Sequence, residues 1–234
     1  MAAQGFTAPV GTRDILPPES GRWARLTARF ATLVGDAGYG LVQSPMFEEL
    51  GVFERVGEGT DIVRKEMYDF IDKGDRHLAL RPEGTASVVR AYLQHRPVSP
   101  WKTWYVAPRI RYERPQAGRY RQNHQLGAEA VGSPDPDLDV EQIVLAWDFF
   151  ASVGLTDVSL LLNSMGTPQD RIEFAARLTA YLDTRRADLA PEDRDKVSSH
   201  PLRLLDSKRP ATVAVLRDAP RAVSYTHLRA HETF

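Results

Sequence analysis

With 234 residues, 42% of them hydrophobic, the chain is long enough to bury one good core with a smaller appended unit, and a formal net charge of −1 leaves no overall basic field for nucleic acid, so any polyanion site must be local. The absence of cysteine excludes a disulfide framework, a thiolate zinc site and a cysteine nucleophile. The opening MAAQGFTAPVG lacks the basic and apolar regions of a secretory signal, and no stretch approaches the roughly 20 apolar residues of a membrane span, which predicts a soluble, cytoplasmic α/β or α+β protein.

The opening GTRDILPPES is turn-rich and extended, because the residue before a proline disfavours the helical region. From Gly21 to Ala37, Trp23, Leu26, Phe30, Leu33 and Val34 recur at helical spacing, and Gly38 stops the helix. Tyr39 to Ser44 reads as a strand broken by Pro45 before MFEELGVFERV. Met67 to Ile71 and His77 to Arg81 alternate around Asp72-Lys73-Gly74-Asp75, which predicts a hairpin. Pro82 to Tyr92 begins as a turn and continues as a helix. Trp101 to Tyr112 alternates as a strand, with Gln125 to Val131 as its antiparallel partner. SPDPDLD is a polar break before a helix from Val140 to Val153. Val158 to Leu162 reads as a short strand and Gln169 to Thr184 as a surface helix, followed by charged sequence to Lys196 and then HPLRLLDSKRP. Strands joined by hairpins with helices between them predict an α+β fold, a largely antiparallel sheet backed by helices.

Two segments concentrate polar chemistry. Arg109, Arg111, Arg114, Arg119 and Arg121 stand against one carboxylate, Glu113, in and around ERPQAGRYRQN. An arginine on a strand is held rigidly and offers a planar fork to a phosphate or carboxylate. Read alone, the segment also fits a solvated cationic hairpin. The chain then returns to Gln125 and Glu129, which period-two alternation puts on one face of the second strand. In LRPEGTASVVRAY, Glu83, Gly84 and Thr85 fall where strand turns into helix, so a carboxylate, free amides and a hydroxyl converge. The competing reading is that Glu83 or Thr85 caps the helix. His227 and His231 have the i, i+4 spacing of a zinc-binding helix, but no other ligand accompanies them and they are assigned no function.

GTRDILPPE, LRPEGTA, RYERPQAGRYRQNHQLGAE and HPLRLLDSK, in this order, resemble the class II histidyl-tRNA synthetases over nearly all of Val10 to Ala222. The resemblance implies a class II antiparallel sheet flanked by helices, a homodimer, and ATP-dependent activation of histidine to histidyl-adenylate before transfer to tRNA(His). Gly21 to Ala37 with the strand ending at Pro45 resembles the first class motif, and RYERPQAGRYRQ the second. Carried over by position, Arg111 is the catalytic arginine bridging the substrate carboxylate and the ATP α-phosphate, with Glu113 and Arg119 on the nucleotide side. Glu83, Gly84, Thr85, Gln125 and Glu129 match the histidine pocket, and Arg114, Gln116 and Arg121 the tRNA-contacting loop. Magnesium accompanies ATP, and no dedicated protein metal site is expected.

The family's second catalytic arginine in an RGLDYY-like segment, its third class motif and its anticodon-binding domain have no counterpart in the chain. The expectation is a partial catalytic domain over residues 1–222, truncated before the last strands, with an inserted region starting at about residue 163, and inactive by itself. Val223 to Thr233 reads like one translated frame of a sequencing adapter, so residues 223–234 are expected to be non-native. The alternative family is the synthetase-like regulatory subunit of ATP phosphoribosyltransferase, a binding protein with no need of a tRNA-contacting loop. The arginine loop and PEGT favour the synthetase.

Overall fold

A computed structural model describes residues 5–57, 66–116, 118–162 and 166–221, and the chain divides into two units, Met1–Val158 and Ser159–Phe234. The adapter-like tail, with His227 and His231, lies outside the described residues.

The first unit starts with α1 (Glu19–Asp36), whose apolar stripe buries Phe30 and Val34. Its end follows from Gly38, which takes a left-handed φ of 85° and lets the Tyr39 amide return to the Val34 carbonyl at 3.0 Å. β5 (Trp101–Ile110) and β6 (Gln122–Val131) pair antiparallel over their whole length, with Tyr105 opposite Gly127. Alternation gives this ribbon two faces. Trp104, Leu126 and Ala128 face Phe30, Val34 and Tyr39, with Leu145 and Phe149 of α4 (Pro136–Ser152) completing the cluster. Tyr105 and Ala107 face α3 (Thr85–His95) through Val88. Burial of each large apolar side chain is worth about 1.5–3 kcal/mol, so the ribbon is fixed from both sides.

β1 (Gly40–Leu41) runs parallel to β5, and the Thr103 hydroxyl donates to the Gly40 carbonyl at 2.8 Å. The strand expected over Tyr39 to Ser44 is thus only two residues long. Its later acceptors turn elsewhere: the Arg81 guanidinium takes the Ser44 and Pro45 carbonyls, and proline offers no amide to a ladder. A second sheet has the order β2 (Phe47–Glu49), β4 (His77–Leu80), β3 (Asp69–Ile71), all antiparallel. Its β3–β4 turn is the expected hairpin, closed by Asp72 Oδ1 accepting the Gly74 and Arg76 amides. α2 (Leu50–Gly57) buries Phe53 against Ala79 and Ala86.

Several boundaries differ from expectation. β5 stops at Ile110, short of the expected Tyr112, and β6 starts at Gln122, three residues before the expected Gln125. α4 begins at Pro136, because Asp135 accepts the Asp137 amide and the proline is tolerated in the first turn, so SPDPDLD contains the cap. Val158 to Leu162 forms no strand. This apolar run finds no pairing partner among the described residues, and Leu161 and Leu162 are 92% and 78% exposed.

The second unit is helical among its described residues. α5 (Pro168–Thr184) opens with a reciprocal cap between Thr167 and Asp170. Phe174, Leu178 and Leu182 recur every fourth residue and pack on Leu189, Val197, Leu204 and Val215, supplied by 3-10 turns, α6 (Lys196–Ser199) and α7 (Pro210–Leu216). Asp193 sits fully buried here, accepting from Ser207, Thr212, Lys196 and Arg209. Burial alone would raise its pKa, but hydrogen bonds from Ser207, Lys196 and Thr212 outweigh that and hold it below the usual carboxylate range. The fold is α+β, as expected, with β1–β5 the one parallel pairing among the described strands.

Candidate functional site

The α3-facing side of the β5–β6 ribbon brings the predicted polar residues together. Gln125 lies opposite Ala107 and Glu129 opposite Thr103, two residues either side of Gly127, so their side chains share that face. Gln125 Oε1 accepts the Gly84 amide at 3.1 Å, and Glu129 Oε1 accepts the Thr85 hydroxyl at 2.7 Å. The ribbon and the start of α3 are thereby joined through side chains that are only partly buried.

Glu83 holds the same turn from the other end. Its two oxygens accept the amides of Thr85 and Ala86 at 2.6 and 2.8 Å, so the capping reading of this residue is the one seen. An ionised carboxylate has about four acceptor positions, and two remain for a ligand. The arrangement places two carboxylates, a hydroxyl and an amide oxygen around one helix start, which suits a ligand carrying an ammonium and a second N–H donor.

Arg111 stands just beyond β5. Its backbone amide donates to the Arg121 carbonyl at 2.8 Å, and its Nε donates to the Pro82 carbonyl at 2.8 Å. One edge of the guanidinium is therefore fixed on the residue preceding Glu83, and Nη1 lies 4.0 Å from Glu113 Oε1. Burial, reinforced by the neighbouring charge of Arg109, pulls the Arg111 pKa below its ordinary value. Nothing near physiological pH removes its charge. Arg109 Nε is itself buried with no hydrogen-bond partner among the described residues.

The loop residues are less enclosed. Arg119 pairs with Glu113 at 3.0 Å while remaining 60% exposed, and Gln116 and Arg119 exchange backbone hydrogen bonds. Arg114 and Gln116 are exposed. Arg121 instead lies over the Tyr112 ring at 3.9 Å, and its amide donates to Gly11, which ties the loop back to the GTRD segment.

Two residues escaped the sequence reading. Tyr105 is 3% exposed and donates to Glu129 Oε1 at 3.2 Å. Arg81, 5% exposed, donates Nε to the Pro108 carbonyl at 2.7 Å and Nη1 to the Ser44 carbonyl at 3.1 Å. The signal for Tyr105 was present: it has the parity of Arg109 and Arg111 on the strand. Arg81 carried none, because its acceptors lie 27 and 37 residues away. A cavity of about 910 Å³ lies elsewhere, between the β1–β2 connection and the second half of α3, around the Glu48–Arg90 pair, and contains none of the predicted site residues.

The chain is similar in sequence and fold to several known proteins. A family model described as histidyl-tRNA synthetase matches residues 11–199. The histidine–tRNA ligase of Thermosynechococcus vestitus is 47% identical over 234 residues, covering 98% of this chain and 55% of that protein. The histidine–tRNA ligase of Streptococcus sanguinis is 46% identical, covering 93% and 52%. The crystal structure of apo S. aureus histidyl-tRNA synthetase superposes with a TM-score of 0.70 at 31% identity, over 92% of this chain and 55% of that one. A Bacillus halodurans structure described as an ATP phosphoribosyltransferase regulatory subunit/histidyl-tRNA synthetase shares the fold, with a TM-score of 0.59 at 22% identity, over 96% of this chain and 62% of that one. The chain spans about half the length of the curated relatives it matches.

Proposed function

The chain belongs to the histidyl-tRNA synthetase family, and from that premise we propose that it supplies the first part of the catalytic domain of a cytoplasmic, homodimeric histidine–tRNA ligase. The observation that carries this reading is the joining of Gln125 and Glu129 to the Gly84–Thr85 turn, with Arg111 fixed on the same turn through Pro82. Histidine binds with its ammonium and ring N–H groups on Glu83, Thr85, Gln125 and Glu129. ATP, arriving with magnesium, lies against Arg111, Glu113 and Arg119. Arg114, Gln116 and Arg121 meet tRNA(His).

Activation brings two anions together. A carboxylate oxygen of histidine attacks the α-phosphorus, the bond to the β,γ-pyrophosphate breaks, and histidyl-adenylate and pyrophosphate form. A guanidinium with one edge pinned to Pro82 keeps its remaining N–H groups oriented, which offsets the repulsion and stabilises the charge on the transferring phosphoryl group. Residues 1–222 form the partial catalytic domain, with the helical unit from about residue 163 as an insertion. The arginine loop favours this reading over a regulatory subunit, which has no adenylate to form.

The test is histidine-dependent ATP–pyrophosphate exchange by the full-length protein. Arg111→Lys keeps the charge and loses the fork, so exchange should fall by roughly 100-fold, on the scale of losing one oxyanion-type donor. ATP binding should change by less than about threefold, since other nucleotide contacts remain. Near-normal exchange would remove Arg111 from the bridging role.

A further inference from the structure

We propose that Tyr105 is a positioning residue for Glu129: its hydroxyl and that of Thr85 hold one carboxylate oxygen so that the other is presented to a ligand N–H. This rests on the synthetase reading above and deepens it.

Tyr105 lies in the middle of β5, opposite Gly127, with its ring enclosed between the backbone of β6 and the start of α3. A Cβ at Gly84 would overlap Tyr105 Cε2, and one at Gly127 would overlap its Cζ and hydroxyl. Both glycines are therefore what admits an aromatic ring at the floor of the site. The ring ends in a hydroxyl that donates to Glu129 Oε1 at 3.2 Å, the same oxygen that receives the Thr85 hydroxyl at 2.7 Å. Among the described residues, Glu129 Oε2 receives no hydrogen bond. Burial, with the charge of Glu129 beside it, pushes the phenol's pKa up, so the hydroxyl remains a donor throughout the physiological range.

Two donors on one oxygen do more than satisfy it. They fix the carboxylate's orientation and leave an acceptor-only oxygen for the ligand, which suits an imidazole N–H and rejects a ring without one. A phenylalanine would fill the same slot without holding the carboxylate. Thr85 alone, on a short side chain at a helix start, holds it from one side only.

The experiment is Tyr105→Phe in the full-length protein, read by pyrophosphate exchange with histidine and with β-(2-thiazolyl)alanine, an isostere whose ring lacks N–H. The histidine KM should rise by about tenfold, the scale of one hydrogen bond to a charged group, with kcat and the ATP KM within about twofold. Preference for histidine over the thiazole analogue should fall by a similar factor. Calorimetric titration with histidine, which needs no turnover, should show the same loss of affinity. A merely structural role predicts parallel losses toward histidine and ATP with unchanged preference, and that result would overturn the proposal. So would an unchanged histidine KM with intact exchange, which leaves the synthetase reading standing. Absence of histidine-dependent exchange in the unsubstituted protein would instead remove both.

Discussion

Replacing Arg81 with methionine tests how the site is supported. The Arg81 guanidinium reaches Pro108 at the end of β5 and Ser44 beyond β1, while its own amide donates to Met46 and its carbonyl accepts from Ile110. One residue thus links both sheets immediately before Pro82, whose carbonyl orients Arg111. Methionine has similar length and no donors, so the Pro108 and Ser44 carbonyls lose their charged partner in a place where Arg81 is only 5% exposed. Each stranded acceptor costs about 1–3 kcal/mol, and relief of the buried charge offsets part of this, leaving a net loss of about 3 kcal/mol. Against a total stability of about 5–15 kcal/mol that is a large fraction. Urea unfolding followed by tryptophan fluorescence measures it directly. With a slope of about 2 kcal/mol/M, the midpoint should drop by about 1.5 M, and Arg81→Lys, which keeps a charge but not the fork, should drop it by about half as much. A midpoint within about 0.3 M of the unsubstituted protein for Arg81→Met would refute the argument that this guanidinium ties the sheets.

The second unit makes a separate prediction through Asp193, whose folded pKa is depressed. Such a carboxylate stabilises fully above its unfolded value of about 3.9, and the contribution is lost as pH falls toward the folded value. Asp193→Asn should cost roughly 3 kcal/mol at neutral pH and flatten the acid limb of stability below about pH 4, and an unchanged acid limb in urea titrations would contradict it. Gly127→Ala should destabilise by about 1–3 kcal/mol through overlap with the Tyr105 ring. The cost should largely vanish in a Tyr105→Ala background, so additive losses in the double mutant would show that the ring is not what demands the glycine.

Much of the frame was legible in the chain itself. The helical spacing of Phe30 and Val34, the alternation from Trp101 onward and the Asp72–Asp75 turn each depend on neighbours two to four positions away, and each formed as the pattern predicts. The same alternation put Gln125 and Glu129 on one face before their partners were known. The short apolar run Val158 to Leu162 did not form the expected strand, because apolar character by itself supplies no neighbour to pair with. Nor did the sequence distinguish a carboxylate that caps from one that binds. Only the fold shows both Glu83 oxygens on the Thr85 and Ala86 amides. Tertiary structure alone decided the roles of Arg81, Tyr105 and Asp193. Their partners lie 14 to 37 residues away along the chain, apart from Lys196, three residues beyond Asp193. A buried polar group is tolerated only where such distant partners converge, and that convergence is a property of packing rather than of any local pattern.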